Sequence, residues 1–527
     1  MNQHTPTSTR SRRVSLAAGA SALLLLLAGC QTYESQTQGL AQANKAGSLA
    51  SAVAQVDKQA NASAGSKDEI VFRLEQGATL RSAGLADPSQ VADIRPPQPA
   101  PKKGEPPPAP LPAPTAAEVH AHYLARSTAA FDAAEDKVNT WEEQAKIKVG
   151  AEVGALVTNQ ASLPYRGRAY DKVMMNTYKA LNYLTLGDRD KARVELNRSL
   201  QRQRDAVAEN EKRIAAAQND AELARKGELK DEKGKSASYD SNRAMNDSRT
   251  GPALQAALNE SIAPMKAYGD YVNPFSVFLD GLFFTVLGEG GSDWEHGRKS
   301  FERVAGMVPE NEYLKADLNA SASAAEGKAP ENVTYVIFET GTAPSRTQIR
   351  IDIPTFVVTS NLAYVGASFP KLVYDGNYIG SLGVNASGQS YHTATVASMD
   401  SIVANDFKNE WPTIVTKTLI TTATKAIIQS ALQKELNDRA GGMWGALGAA
   451  VLSGVNAATS IADTRTWQSL PKEFQYARLA TPADRQLTLT AGAEQKTVVL
   501  EPGAVNVVYV KSASPSSPLF VSTFVLK

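Results

Sequence analysis

The 527-residue chain contains few of the residues on which catalytic and metal sites most often depend. It has a single cysteine, Cys30, and five histidines spread along its length. It can therefore form no internal disulfide and no zinc site built on several cysteines. No HExxH or GxSxG motif occurs. We predict no catalytic residue, no metal and no cofactor, and we interpret the protein as a non-enzyme.

An excess of charge of either sign is also missing. Lysine and arginine number 55 and aspartate and glutamate 54, for a net charge of +1. Binding to nucleic acid depends largely on cations that neutralise phosphates. The balanced charge predicts that nucleic acid is not a partner.

The N-terminus has the pattern of a bacterial lipoprotein signal peptide, residues 1–29. Basic residues precede a short apolar run, and the sequence Leu27-Ala28-Gly29-Cys30 resembles a lipobox. This pattern predicts cleavage between Gly29 and Cys30 and lipidation of Cys30 with palmitate-type acyl chains, a stable anchor. Gln31, in place of an aspartate, favours the outer membrane, with the protein facing the periplasm. The run Ser11 to Leu16 partly resembles a twin-arginine signal, so the choice between Sec and twin-arginine export stays open.

Composition and periodicity divide the mature chain into segments. Ten prolines between residues 96 and 114 rule out a core there and allow a spacer, a docking strip or a neutral insertion. The predicted segments are a helical segment over 30–92, a Pro-rich linker or insertion over 93–115, a TPR-like helical domain over 116–328 with a mobile charged loop at 225–252, and an α+β domain over 329–527 with a helical insertion at 412–462.

The helical half contains spacings typical of tetratricopeptide (TPR) repeats. Ala180, Tyr183, Gly187, Ala192 and Leu196 follow one another at the intervals of the small, aromatic, glycine, small and large positions of such a repeat. The alanines would let two helices approach closely, and the glycine would end the first helix. A generic helical bundle is the alternative.

A second, less regular copy follows after about 100 residues. Gly281, Phe284 and Gly288 match the first helix, and Phe301 and Pro309 match the second helix and its end. In TPR geometry, a partner groove would be lined by the first helix of each pair. The candidate groove residues are Thr177, Leu181, Leu184, Val277, Leu282 and Thr285, although their apolar character fits a plain core equally well.

Beyond residue 330 the pattern changes to alternating and β-branched runs. They predict strands at 333–341, 347–353, 364–376, 377–382, 485–491, 496–502, 505–511 and 519–527. Trp411-Pro412 is expected to open the inserted helix, because proline suits a first helical turn. The fold class is therefore multidomain: an α-helical, TPR-like N-terminal half followed by an α+β, mainly antiparallel C-terminal domain.

Several segments together resemble an uncharacterised family of proteobacterial outer-membrane lipoproteins. They are the lipobox, YDKVMMNTYKALNYLTLGDRDKARVELNRSLQRQ, NPFSVFLDGLFF, VIFETGTAP and DTRTWQSLPKEFQYARL. The resemblance covers most of the chain from Gly39 onward. It implies a TPR-like helical half, a β-containing C-terminal half and a role in cell-envelope maintenance, but no assigned activity.

Two further stretches have competing interpretations. His296 stands beside Glu295 and Asp293, and we interpret it as solvated because neighbours on a helix do not share a face. Residues 440–462 carry no charge. They are expected to form a buried helix, with an oligomer or partner surface and membrane insertion as alternatives.

The leading hypothesis is a scaffold that is anchored at Cys30 and offers its TPR groove to an unknown periplasmic protein. One alternative is a glycan- or peptidoglycan-binding or hydrolytic envelope protein, which requires a cleft with converging carboxylates. Another is a structural subunit of an envelope export complex, which would form homo-oligomers.

Overall fold

The computed structural model describes residues 33–96, 111–147, 160–231, 234–266, 268–356, 363–440 and 461–527. The signal peptide and Cys30, residues 97–110 of the Pro-rich segment, and residues 441–460 of the uncharged stretch lie outside the described residues.

The described part of the N-terminal half is helical. Its helices are α1 (Tyr33–Lys45), α2 (Leu49–Ala62), α3 (Glu69–Gly84), α4 (Ala116–Ile147), α5 (Ala169–Thr185), α6 (Arg189–Lys226), α7 (Ser241–Met245), α8 (Thr250–Ile262), α9 (Pro274–Leu287), α10 (Gly291–Met307) and α11 (Leu314–Ala325). The predicted loop 225–252 thus includes α7 and the beginning of α8.

Helices α5 and α6 pack together as the first predicted hairpin. Gly187 has a φ of 78°, a left-handed conformation that glycine adopts without strain, and it ends α5. Asp188 then caps α6 by accepting a hydrogen bond from the Lys191 amide at 3.1 Å. Ala180, Ala192 and Leu196 are fully buried between neighbouring helices, and Tyr183 is half-buried.

Helices α9 and α10 form the second hairpin, which also packs closely. A Cβ on Gly281 would lie only 3.2 Å from the Phe301 ring, so the glycine permits this approach of the two helices. The side chain of Asn273 accepts hydrogen bonds from the first amides of α9. Phe284 is buried, Gly288 follows the last residue of α9, and Pro309 lies exposed just beyond α10.

The residues predicted to line a partner groove lie inside the protein. The six candidate residues are between 0 and 4% exposed, and they are Thr177, Leu181, Leu184, Val277, Leu282 and Thr285. A partner cannot contact side chains that are already packed inside the protein, so the groove prediction is wrong for these residues. The spacing located the helices correctly, but additional elements cover the faces that a free TPR pair would expose.

The C-terminal half is α+β. Its strands are β1 (Val333–Thr340), β2 (Ser345–Pro354), β3 (Tyr364–Val373), β4 (Gly383–Ala386), β5 (Gln389–His392), β6 (Ala394–Ser398), β7 (Glu473–Ala480), β8 (Gln486–Ala491), β9 (Glu494–Val499), β10 (Val505–Ser512) and β11 (Phe520–Val525). One long helix, α12 (Met399–Ala440), is inserted between β6 and β7. The predicted fold class is confirmed.

The strands pair in three sheets within the described residues. They are a five-stranded sheet in the order β11-β10-β1-β7-β6, the hairpin β2-β3, and a four-stranded sheet in the order β5-β4-β8-β9. Adjacent strands are antiparallel except β1 and β10, which run parallel with Glu339 opposite Lys511. The carboxyl ends of these two central strands therefore lie side by side.

Two details of the sequence prediction are wrong. Residues 377–382 form no strand, and the helix expected to begin at Trp411-Pro412 already begins at Met399, so that Pro412 lies inside it. Strands β4 to β7 were not predicted.

Aromatic side chains join the helical half to the large sheet. Phe275 of α9 stacks on Phe474 of β7 with the ring centroids 3.9 Å apart, and Phe278 lies 4.4 Å from Tyr476. One continuous cluster of buried side chains runs through both halves. The helices and the sheet therefore hold each other in fixed positions, including the space described next.

Candidate functional site

A cavity of about 640 Å³ lies where α1 crosses the carboxyl ends of β1 and β10. Its walls come from α1, the start of α2, the middle and end of α3, the turn after β1, the segment after β3, the approach to β7, the end of β10 and the start of β11. Its volume is within the range of small-molecule sites, about 300–1,000 Å³. We take this cavity as the candidate binding site.

Helix α1 forms one wall and is fixed at both ends. At its start, the Tyr33 hydroxyl donates to the carbonyl of Thr466 at 2.8 Å. At its end, Lys45 forms an ion pair with Asp375 at 2.6 Å, and the Ser514 hydroxyl donates to the Lys45 carbonyl at 2.8 Å. The wall is thus attached to segments that lie hundreds of residues later in the sequence.

Glu75 of α3 is a buried carboxylate at the cavity wall. It accepts hydrogen bonds from the Tyr33 hydroxyl at 3.1 Å, the Gln468 amide at 2.6 Å, and both the amide and the hydroxyl of Ser469. Burial is the largest influence and raises the pKa of Glu75 to about 7, although these donors act in the opposite direction. Glu75 therefore changes charge near neutral pH.

Lys511 and Glu339 lie at the floor of the cavity, on the paired ends of β10 and β1. The Lys511 Nζ is 2.9 Å from Oε2 of Glu339, and the Tyr509 hydroxyl donates to Oε1 at 2.6 Å. Burial opposes the charge of Glu339, but Lys511 and then Arg81 outweigh it and lower the pKa of this carboxyl. Arg81 itself lies over the Tyr509 ring, 4.6 Å from its centroid.

The rest of the lining combines apolar and hydrogen-bonding side chains. Apolar surface comes from Leu40, Leu49, Val373, Tyr374 and Phe520, and amide or hydroxyl groups come from Gln38, Gln42, Asn44, Thr342 and Ser345. Such a lining suits a ligand with apolar faces and many hydrogen-bonding groups.

A second buried acidic pair lies on α12. Three arginines surround Glu410: Arg168 contacts Oε2, Arg346 lies 3.0 Å from the same oxygen, and Arg213 lies 3.3 Å from Oε1. Although burial acts in the opposite direction, these cations lower the pKa of Glu410 to about 2. One turn earlier, burial and the charge of Glu410 raise the pKa of Asp406 to about 7.

The Asp406–Glu410 pair has no room for a substrate. The neighbouring cavity measures about 10 Å³, roughly the space of a single water molecule. Two carboxylates with opposite pKa shifts are the arrangement that a hydrolase uses. Because the cavity beside Asp406 in the described part of the chain is this small, we interpret the pair as structural.

His296 has a buried partner that the sequence did not indicate. Its Nε2 lies 2.8 Å from Oδ2 of the fully buried Asp280, which also accepts a hydrogen bond from Ser300. This bond raises the pKa of His296, although burial acts in the opposite direction. The His296 side chain is 37% exposed, in keeping with the solvated interpretation, and it also connects α10 to α9.

Sequence reasoning did not find the cavity residues. The available signal was a charge within an otherwise apolar run: Glu75 in IVFRLEQGATL, Glu339 in VTYVIFET and Lys511 in VNVVYVKS. Charged residues are rarely buried without a partner, so each of them indicated an internal contact. Cys30, the predicted lipidation site, lies outside the described residues.

No family model, curated protein or solved structure matches the chain. Among the described helices, none is long and apolar enough to cross a membrane. In the same residues, no group of three or more His, Cys, Asp or Glu side chains is arranged to hold a metal ion.

Proposed function

We propose that the protein is a non-enzymatic binding protein of the cell envelope. In this proposal a lipid on Cys30 anchors it in the outer membrane facing the periplasm, and the cavity beside α1 binds a small glycan or peptidoglycan fragment. The observation that carries the proposal is the cavity of about 640 Å³ at the carboxyl ends of β1 and β10, with the buried ionisable groups of Glu75 and Lys511 in its lining.

The lining supports a sugar-like ligand. Sugars present both C–H faces, which pack on aromatic rings, and hydroxyl or amide groups, which exchange hydrogen bonds. Tyr374 provides the first kind of surface, and Gln38, Gln42 and Asn44 the second. A lining of apolar side chains alone would favour an acyl chain instead.

The position of α1 supports a site close to the anchor. Tyr33 is buried and bonded to Glu75 at the cavity wall. The three residues from Cys30 to Tyr33 span at most about 11 Å when fully extended. A lipid on Cys30 would therefore hold the cavity close to the membrane surface.

The scaffold hypothesis loses its main support in the structure. It depended on a groove along the first helix of each hairpin, and the side chains assigned to that groove are buried. The ligand-binding alternative is the one that a specific feature, the cavity, favours.

The test fills the cavity and measures binding. Ala41 of α1 and Ala513 after β10 both line it, so Ala41→Trp combined with Ala513→Trp places two indoles inside. The matched control combines Ala46→Trp with Ala50→Trp, two exposed alanines outside the lining. Calorimetry with purified full-length protein would use muramidase-digested peptidoglycan as the probe.

We expect the natural protein and the control pair to bind the digest, and the cavity-filled pair to lose binding at least about tenfold. Equal binding by all three proteins would place the site elsewhere. Absence of binding to the natural protein would overturn the proposed ligand.

A further inference from the structure

Two cations and one carboxylate lie together at the end of β10, where Lys511 forms part of the cavity lining. Glu339 is one carboxylate, and two cations face it: Lys511, with which it forms an ion pair, and Arg81, which also lowers its pKa. The described partner of the Arg81 side chain is the neutral amide of Asn182, at 2.7 Å. One carboxylate thus balances only one of the two cations.

Hydrogen-bond donors also remain available there. An ammonium group has three N–H donors, and its close acidic contact among the described residues is the single Glu339 oxygen. Lys511 is 7% exposed, and it lines the cavity. In Arg81, the buried Nε and Nη2 have no hydrogen-bond partner in the part of the chain that the structure describes.

Glu75 has the opposite character. Four donors already occupy its oxygens, from Tyr33, Gln468 and Ser469. It therefore offers little to a cationic ligand group. The other charged lining residues are Lys45 and Asp375, which form an ion pair with each other, and the exposed Glu34. The unused binding capacity beside Lys511 is that of a donor with positive charge, and the group that uses it best is an anion.

We infer that the ligand of this cavity carries a carboxylate, which binds the ammonium group of Lys511. The inference rests on the proposed function and adds the charge of the ligand to it. Among peptidoglycan fragments, two kinds of group supply a carboxylate: the lactyl ether of N-acetylmuramic acid and the carboxyl end of the stem peptide. The sugar lining favours the first source, because it places the carboxylate and the sugar ring in one compact molecule.

The test compares three probes on purified full-length protein by NMR titration. N-acetylmuramic acid carries the lactyl carboxylate, N-acetylglucosamine is the same sugar without it, and N-acetyl-D-Ala-D-Ala carries a peptide carboxylate. A hydrogen bond to a charged group changes affinity by a factor of about 10 to 100. We expect N-acetylmuramic acid to bind at least about tenfold more tightly than N-acetylglucosamine.

Substitutions of Lys511 and Glu339 are expected to change the affinity for N-acetylmuramic acid in opposite directions. Lys511→Met should remove the preference for N-acetylmuramic acid, so that the two sugars bind with similar affinity, and circular dichroism checks that the variant is folded. Glu339→Gln removes the carboxylate that occupies Lys511, so it should tighten binding of N-acetylmuramic acid severalfold. A general loss of structure would weaken both sugars together and could not produce this pattern.

Each other outcome has a distinct meaning. Equal affinity for the two sugars, or an unchanged preference in Lys511→Met, overturns the carboxylate inference and leaves the proposed function standing. Tighter binding of the dipeptide than of either sugar overturns the assignment to the sugar carboxylate. If neither sugar nor the peptidoglycan digest binds, the proposed function itself is wrong.

Discussion

Glu410 and Glu75 are both glutamates buried in this protein, and their surroundings give them opposite properties. Glu410 faces three arginines, and its pKa falls to about 2. Glu75 faces neutral amides and hydroxyls, and its pKa rises to about 7. The first is charged at all physiological pH values, whereas the second titrates next to a cavity.

The comparison shows how to separate structural from functional buried charge. A carboxylate that is surrounded by cations is committed to holding chain segments together, and around Glu410 these segments are α12, α6, β2 and the start of α5. A carboxyl group held by neutral donors has no counter-charge that fixes its ionised form. A bound ligand or a change in pH can therefore alter its charge. The cavity lies beside the second kind.

The largest effect is expected for Glu410→Gln, the loss of a carboxylate shared by cations. The substitution leaves Arg168 and Arg346 buried without a counter-charge, and the free energy of unfolding should fall by about 3–5 kcal/mol. Denaturant unfolding at pH 7 measures this loss. Glu410 stabilises the folded state fully above the ordinary pKa of glutamate, and this stabilisation is lost only as the pH falls towards 2. Glu302→Gln, at an exposed pair with Arg298, is the control and should cost less than about 1 kcal/mol.

Lys179 extends the comparison to a buried cation surrounded by acids. Its Nζ lies within 3.0 Å of Asp132, Glu135 and Glu195, and the pKa of Lys179 is raised, chiefly by hydrogen bonds to these carboxylates against the effect of burial. We expect Lys179→Met to lower the free energy of unfolding by about 3 kcal/mol. Lys191→Met, at a lysine that is 63% exposed, should leave the free energy of unfolding nearly unchanged. Equal losses in the two variants would contradict the assigned role.

Glu75→Gln tests the titrating member of the comparison. Because the pKa of Glu75 is raised in the folded protein, its protonation favours folding most fully below the ordinary pKa, and this contribution is lost as the pH rises through about 7. The natural protein should therefore be less stable at pH 8 than at pH 5, by about 2–3 kcal/mol for this group. The variant should show a smaller difference between the two pH values in thermal unfolding.

Asp406 supplies the control for that measurement. Its pKa is also raised to about 7, so it contributes a second loss of stability over the same pH interval. Asp406→Asn should remove the part of the pH dependence that Asp406 contributes. The double variant, Glu75→Gln with Asp406→Asn, should remove the parts that both carboxyls contribute. Burial also raises the pKa of Asp317 and Asp400 to about 6, so part of the pH dependence should survive in the double variant. A pH dependence that is undiminished in the double variant would show that Glu75 and Asp406 are not among its sources.

The smallest effect is expected at His296, where the ion pair is half exposed. Asp280 raises the pKa of His296, so the pair stabilises the folded state fully below the ordinary pKa of histidine and is lost as the pH rises above the folded value. His296→Gln should cost less than about 1 kcal/mol at pH 6 and still less at pH 8, measured by thermal unfolding. His122→Gln is the control, and it should show the opposite trend with pH because burial and then Arg126 lower the pKa of His122.

The sequence predicted those parts of the fold that depend on nearby residues. Both hairpins follow from small residues and glycines placed a few positions apart, and strands β1 to β3 and β8 to β11 were found from their alternating pattern. The start of α12 was wrong because proline was assigned to a first turn. Pro412 instead lies inside the helix, where it donates no bond to the carbonyl of Lys408.

The candidate site could not be predicted, because its residues come together only in the folded chain. Glu75 binds Ser469, 394 positions away, and Glu410 binds Arg168, 242 positions away. No local pattern encodes such pairs. The groove prediction failed for the same reason. The TPR spacing describes a pair of helices by itself, and it carries no information about the sheet that packs against the helices in this protein.

The pairing of β1 with β10 has a consequence for how the chain is made. The centre of the large sheet joins Glu339 to Tyr509, 170 positions later, and α1 is fastened to Thr466, 433 positions later. A chain emerging from the ribosome cannot finish its sheet until β10 has appeared. Until then β1 exposes an apolar edge that can pair with other chains. Folding should therefore be slow and completed late, so this edge stays open to wrong pairing throughout synthesis.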